Sequence, residues 1–412
     1  MTPPRFWRLP RWQMLLVLSL ARLAMGFQFQ AIASVAPVLQ DRFGFSLGGI
    51  GWLIGLYLLP GIALALPSGI LGARYGDRRI AAIGLLLMTV GGAVMALADA
   101  PGMLTTGRLL AGAGAVLFNV IVQKMIADWF AGHEIVLAMA IIINTWPIGM
   151  ALALFTLGGV GTAYGAGAAF AITSAFALLA LVLLLAFYRS PAEVAGASKP
   201  SLGAINRGEW LLLALAGGAW MLFNVVFAGI ASFLPAFLIE RGLDAVAANA
   251  TTGLSTVAVT ISIVLGGIAN QRWQRPGLIT QIGLVGSVLG FALLLAGADV
   301  TVSVLLLGVL AGLAAGPIVS LPAQFLRPQT RATGLGVSLT LYYLGMTLLP
   351  GPIGGLAARF GSTDAILAAL IAMTIATALL TATVSVLRKR GVCAPLAEGR
   401  MPGAAIGQAE QG

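Results

Sequence analysis

The chain has 412 residues, of which 59% are hydrophobic and only 9% charged, with a formal net charge of +10. An ordinary soluble domain carries about 25% charged residues, and no soluble core of this length could hide so much apolar surface. A soluble fold is excluded. The basic excess is scattered among short segments rather than gathered on a domain, so it fits membrane orientation and not a nucleic-acid partner.

Arg5, Arg8 and Arg11 precede the first apolar stretch, 12–39, which is too long for a signal-peptide core and contains Pro37. It reads as a retained first span. About twenty apolar residues at 1.5 Å each cross a hydrocarbon core of about 30 Å. Further stretches of that length lie at 47–72, 80–98, 103–126, 135–157 and 166–187. After a polar gap come 210–238, 247–268, 278–296, 302–326, 332–358 and 365–387. The runs are continuous rather than alternating, which favours helices over barrel strands.

The expected fold is an all-α polytopic membrane protein: twelve transmembrane helices in two pseudo-symmetric six-helix bundles. The bundles span 1–187 and 210–387. A cytoplasmic linker, 188–209, rich in Ser, Gly, Ala and Pro, joins them, and 388–412 reads as a disordered cytoplasmic tail. With the N-terminus inside, only Arg42, Arg241 and Arg359 fall outside, and Arg22 and Arg108 lie within the membrane. All the other Lys and Arg of the 23 then face the cytoplasm. This asymmetry places both termini in the cytoplasm, and the expected location is the bacterial inner membrane.

The halves repeat one another. Ile32-Ala33-Ser34, with Pro37 and Gly44, matches Ile230-Ala231-Ser232, with Pro235 and Gly242; Ala96 to Asp99 likewise meets Ala296 to Asp299. Each pair falls at the same point of its half, which favours duplication over chance. Because six is even, the repeats run parallel about an axis along the membrane normal.

The segment after the second span reads Gly69-Ile70-Leu71-Gly72-Ala73-Arg74-Tyr75-Gly76-Asp77-Arg78-Arg79, and the fourth span carries Arg108-x-x-x-Gly112-x-Gly114. Both resemble signature motifs of the major facilitator superfamily, and the chain is loosely similar in style to its nitrate/nitrite and cyanate porter branches. Parallel six-helix repeats are a known property of that superfamily, so the repeat and the motifs point the same way. The resemblance implies alternating access, a monomer, and a loop (Gly69, Arg74, Gly76, Asp77, Arg78) that latches the cytoplasmic helix ends. The family's acidic position is occupied by Ala73, and Asp77, one helical turn on, is the candidate substitute. The Gly-Pro-x-x-Gly-Gly element of the superfamily's drug antiporters is missing from the fifth span. A similar string, Gly351-Pro352-Ile353-Gly354-Gly355, ends the eleventh.

The resemblance also implies a cavity lined by spans one, four, seven and ten. Helical spacing puts Arg22, Gly26, Phe29 and Gln30 on one side of the first span, and Arg108, Gly112, Ala115 and Asn119 along the fourth. The seventh offers Trp220 and Asn224. Arg22 sits about ten residues in, or about 15 Å, close to the midplane. A charge there costs about 2.5–3.5 kcal/mol on insertion scales, so it faces a cavity or a partner. No Asp or Glu lies deep in any apolar stretch to pair with it. Guanidinium forks match carboxylate, nitrate or phosphate oxygens.

The candidate substrate-binding set is therefore Arg22, Gln30, Phe29, Arg108, Asn119, Trp220 and Asn224, and the expected cargo is a small anion, an organic carboxylate or a nitrate- or cyanate-like ion. Against this stand a structural arginine bonding helix carbonyls and, for Arg108, a side chain snorkelling to the outer surface. The rival function is multidrug or metabolite efflux by proton antiport. A coupling proton is left open, because no buried carboxylate or histidine is available to carry it. No cofactor, metal or enzyme chemistry is expected: His133 is the only histidine and Cys393 the only cysteine.

Overall fold

The computed structural model describes residues 10–130, 134–190 and 205–392. Among these there are helices and no strands. The first half comprises α1 (Pro10–Ser34), α2 (Ala36–Phe43), α3 (Leu47–Leu56), α4 (Pro60–Tyr75), α5 (Asp77–Ala96), α6 (Pro101–Trp129), α7 (Ile135–Tyr164) and α8 (Ala166–Phe187). The second comprises α9 (Arg207–Glu240), α10 (Ala245–Trp273), α11 (Pro276–Leu295), α12 (Val300–Ser320), α13 (Pro328–Leu348), α14 (Pro350–Phe360) and α15 (Asp364–Lys389). Residues 191–204 of the expected linker and 393–412 of the expected tail lie outside the described residues.

Eleven described segments are long and apolar enough to cross a membrane. The expected eleventh span is instead divided between α13 and α14, which meet at Leu349–Pro350. The second span is divided too, between α3 and α4. Proline explains both breaks: it has no N–H to give to the preceding turn.

Helix ends follow local chemistry. Asn206 and Glu209 form a reciprocal capping box at the start of α9, and Asp299 caps α12 by accepting from Val302 N. Gly76, at φ 90°, makes the turn between α4 and α5 that a residue with Cβ resists.

Lipid tails are as apolar as leucine, so helices associate here by close packing and hydrogen bonds. Glycine supplies the closeness. A Cβ added to Gly84 of α5 would lie 2.7 Å from the Gly114 carbonyl oxygen of α6, and one on Gly91 would lie 2.4 Å from Ala111 N.

The two halves meet mainly at the face remote from the termini. There α3 packs on α14, and α7 on α10. Asn249 of α10 donates to the Ser34 carbonyl at 3.2 Å. At the terminal face, the ion pairs Arg11–Glu134, Lys124–Asp77, Lys124–Asp128 and Arg327–Glu209 each stay within one half. This conformation is closed at the far face.

Candidate substrate site

Arg22 lies on the fourth turn of α1, and its side chain is buried, with 9% of the residue exposed. Its Nε and Nη1 are enclosed and have no hydrogen-bond partner. Its electrostatic neighbours are Tyr342 and Tyr343 of α13, from the opposite half. Tyr343 is fully buried and accepts a hydrogen bond from Asn119 Nδ2 of α6 at 3.3 Å. The Tyr343 ring presses on Gly61 of α4, where a Cβ would lie 2.3 Å from the ring. Tyr342 meets that ring edge-on at 5.1 Å. One cation and one amide from the first half thus converge with two phenols of the second. The Asn119 Oδ1 atom is also buried without a partner. Buried polar groups are normally hydrogen-bonded, so a cluster of open valences around a guanidinium marks a place for a ligand.

Arg108 has the opposite character. It is fully buried, and its guanidinium donates to three backbone carbonyls: Leu53 at 3.0 Å, Gln28 at 2.9 Å and Phe29 at 2.8 Å. The Tyr57 ring lies 4.4 Å from its Cζ. Tyr57 in turn donates to Gln28 Oε1 at 3.3 Å, and Gln28 Nε2 to the Met88 carbonyl at 3.0 Å. In this conformation Arg108 is a strut between α1, α3 and α6. It neither snorkels nor faces a cavity.

The sequence model of the Major Facilitator Superfamily matches residues 18–350. The chain belongs to the Major Facilitator Superfamily. It is 28% identical over 355 residues to the 3-(3-hydroxy-phenyl)propionate transporter of Escherichia coli K12, covering 81% of this chain and 83% of that one. It is 27% identical over 295 residues to the cyanate transport protein CynX of the same organism, covering 68% and 72%. The fold is similar to that of the nucleoside transporter NupG (D323A mutant), with a TM-score of 0.73 at 15% identity over 91% of this chain and 100% of that one. The chain is a multi-pass membrane transporter of this superfamily.

The other sequence candidates are placed as follows. Gln30 Nε2 donates to the Ala231 carbonyl of α9 at 2.7 Å, and its Oε1 is unpartnered. Phe29 is buried between Tyr57 and Trp146, with ring centroids 5.7 and 5.1 Å away. Asn224 donates back to the Trp220 carbonyl in its own helix at 2.7 Å, and Trp220 stacks on Phe223 at 5.9 Å. These last two bond and stack within the second half, and the structure does not join them to Arg22.

In the superfamily loop, Asp77 pairs with Lys124 of α6, Arg78 donates to the Leu185 carbonyl, and Arg74 lies over the Tyr75 ring. Gly69 ends no helix and has open space beside it. With the far face closed, the loop is thus tied to its own half. Sequence reasoning missed Tyr342 and Tyr343, which stand on the eleventh span and not on spans one, four, seven or ten. Two adjacent phenols in a run with no other aromatic side chain were the available signal.

Proposed function

We propose that this transporter carries a small organic or inorganic anion, bound at Arg22 near the midplane, by alternating access. The single observation that supports it is the buried guanidinium with Nε and Nη1 unpartnered. Every Asp and Glu among the described residues lies at or near a helix end or between helices, so the counter-charge must come from solution. In a low-dielectric site such a pairing is strong, and a planar fork selects oxygens in pairs. The cargoes named for the two relatives, a propionate and cyanate, are both anions, which supports the same class. The Tyr343 hydroxyl, whose oxygen accepts from Asn119 Nδ2, keeps its own proton to donate, so the anion touches both halves. Arg108 serves as scaffold and Gln30 as an inter-half tie. The protein works as a monomer in the bacterial inner membrane with both termini in the cytoplasm, so the present state faces inward.

Counterflow into proteoliposomes tests this reading. Labelled cyanate, nitrate, acetate and 3-(3-hydroxyphenyl)propionate are compared with an organic cation such as ethidium. The expected result is counterflow of at least one anion, abolished by Arg22→Gln at equal protein level. Counterflow of the cation alone, or unchanged anion affinity in Arg22→Gln, overturns it.

A further inference from the structure

The second half holds a cavity that the transport reading leaves unused. It has a volume of about 50 Å³ and lies at the terminal face, where α11 starts and α12 and α15 end. One buried water needs about 10–15 Å³ of such space, so there is room for a larger polar group. Thr280, Gln281, Gln324, Thr381, Ser385 and Arg388 line it, whereas Arg22, Asn119, Tyr342 and Tyr343 stand on other helices. Polar side chains gathered between membrane helices are expensive and mark function.

The hydrogen bonds show what this lining lacks. Its hydroxyl protons are spent inside their own helices: Thr280 donates to the Pro276 carbonyl at 2.8 Å, Thr381 to that of Thr377 at 3.0 Å, and Ser385 to that of Thr381 at 2.9 Å. Gln281 Nε2 donates to the Ala378 carbonyl and to Thr381 Oγ1, both at 3.1 Å. Gln324 Nε2 donates to Ser320 Oγ at 3.1 Å. Arg388 Nη1 donates to Gln324 Oε1 at 2.6 Å, and its Nε and Nη2 donate to no other group among the described residues. The lining therefore keeps one charged donor, together with acceptor lone pairs on Thr280, Ser385 and Gln281 Oε1. No acid answers the cation. Asp299 and Asp364, at the starts of α12 and α15, stand at the far face. Glu209, the acid at the terminal face of this half among the described residues, is taken by Arg327.

Such a lining fits an anion that also carries donors of its own. The surroundings set it at the lipid surface. Leu278 and Val386, next in sequence to Gly277 and Ser385 of the lining, are 53% and 48% exposed. Trp273, at the end of α10, is 63% exposed, and tryptophan favours the headgroup level of a bilayer.

We infer that this cavity binds a phosphate ester bearing free hydroxyls, the headgroup chemistry of phosphatidylglycerol. The phosphate pairs with Arg388, and the hydroxyls donate to Thr280, Ser385 and Gln281. Basic pockets between membrane helices suit anionic headgroups. This requires only that the chain spans a membrane, and holds whatever the cargo.

The test is native mass spectrometry of the full chain in detergent, titrated with dioleoyl phosphatidylglycerol. Arg388→Gln removes the charge. Gly277→Leu fills the cavity at constant charge: a Cβ there meets nothing nearer than Ser385 Oγ at 3.9 Å, which leaves room for the longer side chain. Arg390→Gln removes an exposed neighbouring cation outside the lining and serves as the control. The expected result is a Kd raised about tenfold or more in both lining variants and less than about twofold in the control. Equal losses in Arg388→Gln and Arg390→Gln, or an unchanged Kd in Gly277→Leu, overturn the site in favour of diffuse surface charge. Phosphatidylmethanol, with the same charge and no hydroxyl, should bind the wild type more weakly, and equal binding overturns the role of the hydroxyls. Competition by the deacylated headgroup, glycerophosphoglycerol, separates the sources: displacement of the lipid extends the site to soluble phosphate esters, and no displacement keeps it to the membrane.

Discussion

Gln30 Nε2 donates to the Ala231 carbonyl oxygen at 2.7 Å, and four residues beyond Ala231 stands Pro235, which has no N–H to give that carbonyl. An amide of the first half thus repairs a defect in a helix of the second. The bond joins the two repeat-related segments of α1 and α9. Replacement by Gln30→Leu leaves a buried carbonyl unsatisfied, at a cost of about 1–3 kcal/mol. The thermal midpoint in detergent should fall, and adding Pro235→Ala to Gln30→Leu should recover much of the loss by restoring the intrahelical bond. A midpoint indifferent to Gln30→Leu refutes this role.

At Arg22, charge and geometry are separable. Arg22→Lys keeps the cation and loses the planar fork, so transport of a carboxylate should survive with KM raised about tenfold, equivalent to about 1.4 kcal/mol. Arg22→Gln removes the charge and should abolish transport. Initial-rate counterflow distinguishes the two. Equal activity of the Lys and Gln variants would show that charge is not what the site uses.

Arg108→Met should act on stability and not on affinity. Three carbonyls lose a charged donor in a fully buried setting, and hydrogen bonds to charged groups are worth about 1.5–3 kcal/mol each. The folded yield and thermal midpoint should drop sharply, while anion affinity in the surviving fraction stays within about twofold. A large rise in KM with unchanged stability would place Arg108 at the substrate instead.

A fixed cation without a resident acid makes the empty carrier positive and the anion-loaded carrier neutral. One elementary charge crossing 100 mV is worth about 2.3 kcal/mol. Net uptake of a monovalent anion should therefore respond to a potassium diffusion potential set with valinomycin, whereas one-for-one exchange should not. Equal sensitivity of exchange and net flux contradicts this assignment of charge.

The crossings are legible in the sequence because apolar length is a property of composition, and bilayer thickness fixes that length. The division of the second and eleventh spans is not. A hydropathy window passes over Pro60 and Pro350 because neither changes the mean, although each removes a backbone donor. Arg22 is legible as a charge out of place. The fate of Arg108 is not, because its partners are carbonyls of Leu53, Gln28 and Phe29, and every residue has a carbonyl. Tyr342 and Tyr343 escape notice because a tyrosine in an apolar run reads as packing until its hydroxyl is seen beside Asn119. The motif suggests Asp77 as a latch, and in this state it is held by Lys124.

The two rims at the terminal face are braced independently, Asp77 with Lys124 in one and Glu209 with Arg327 in the other. Neither brace is a keystone common to both bundles. Damage to one should leave the other at full strength, and the stability losses from breaking both should sum, as they do for distant sites with no shared partner.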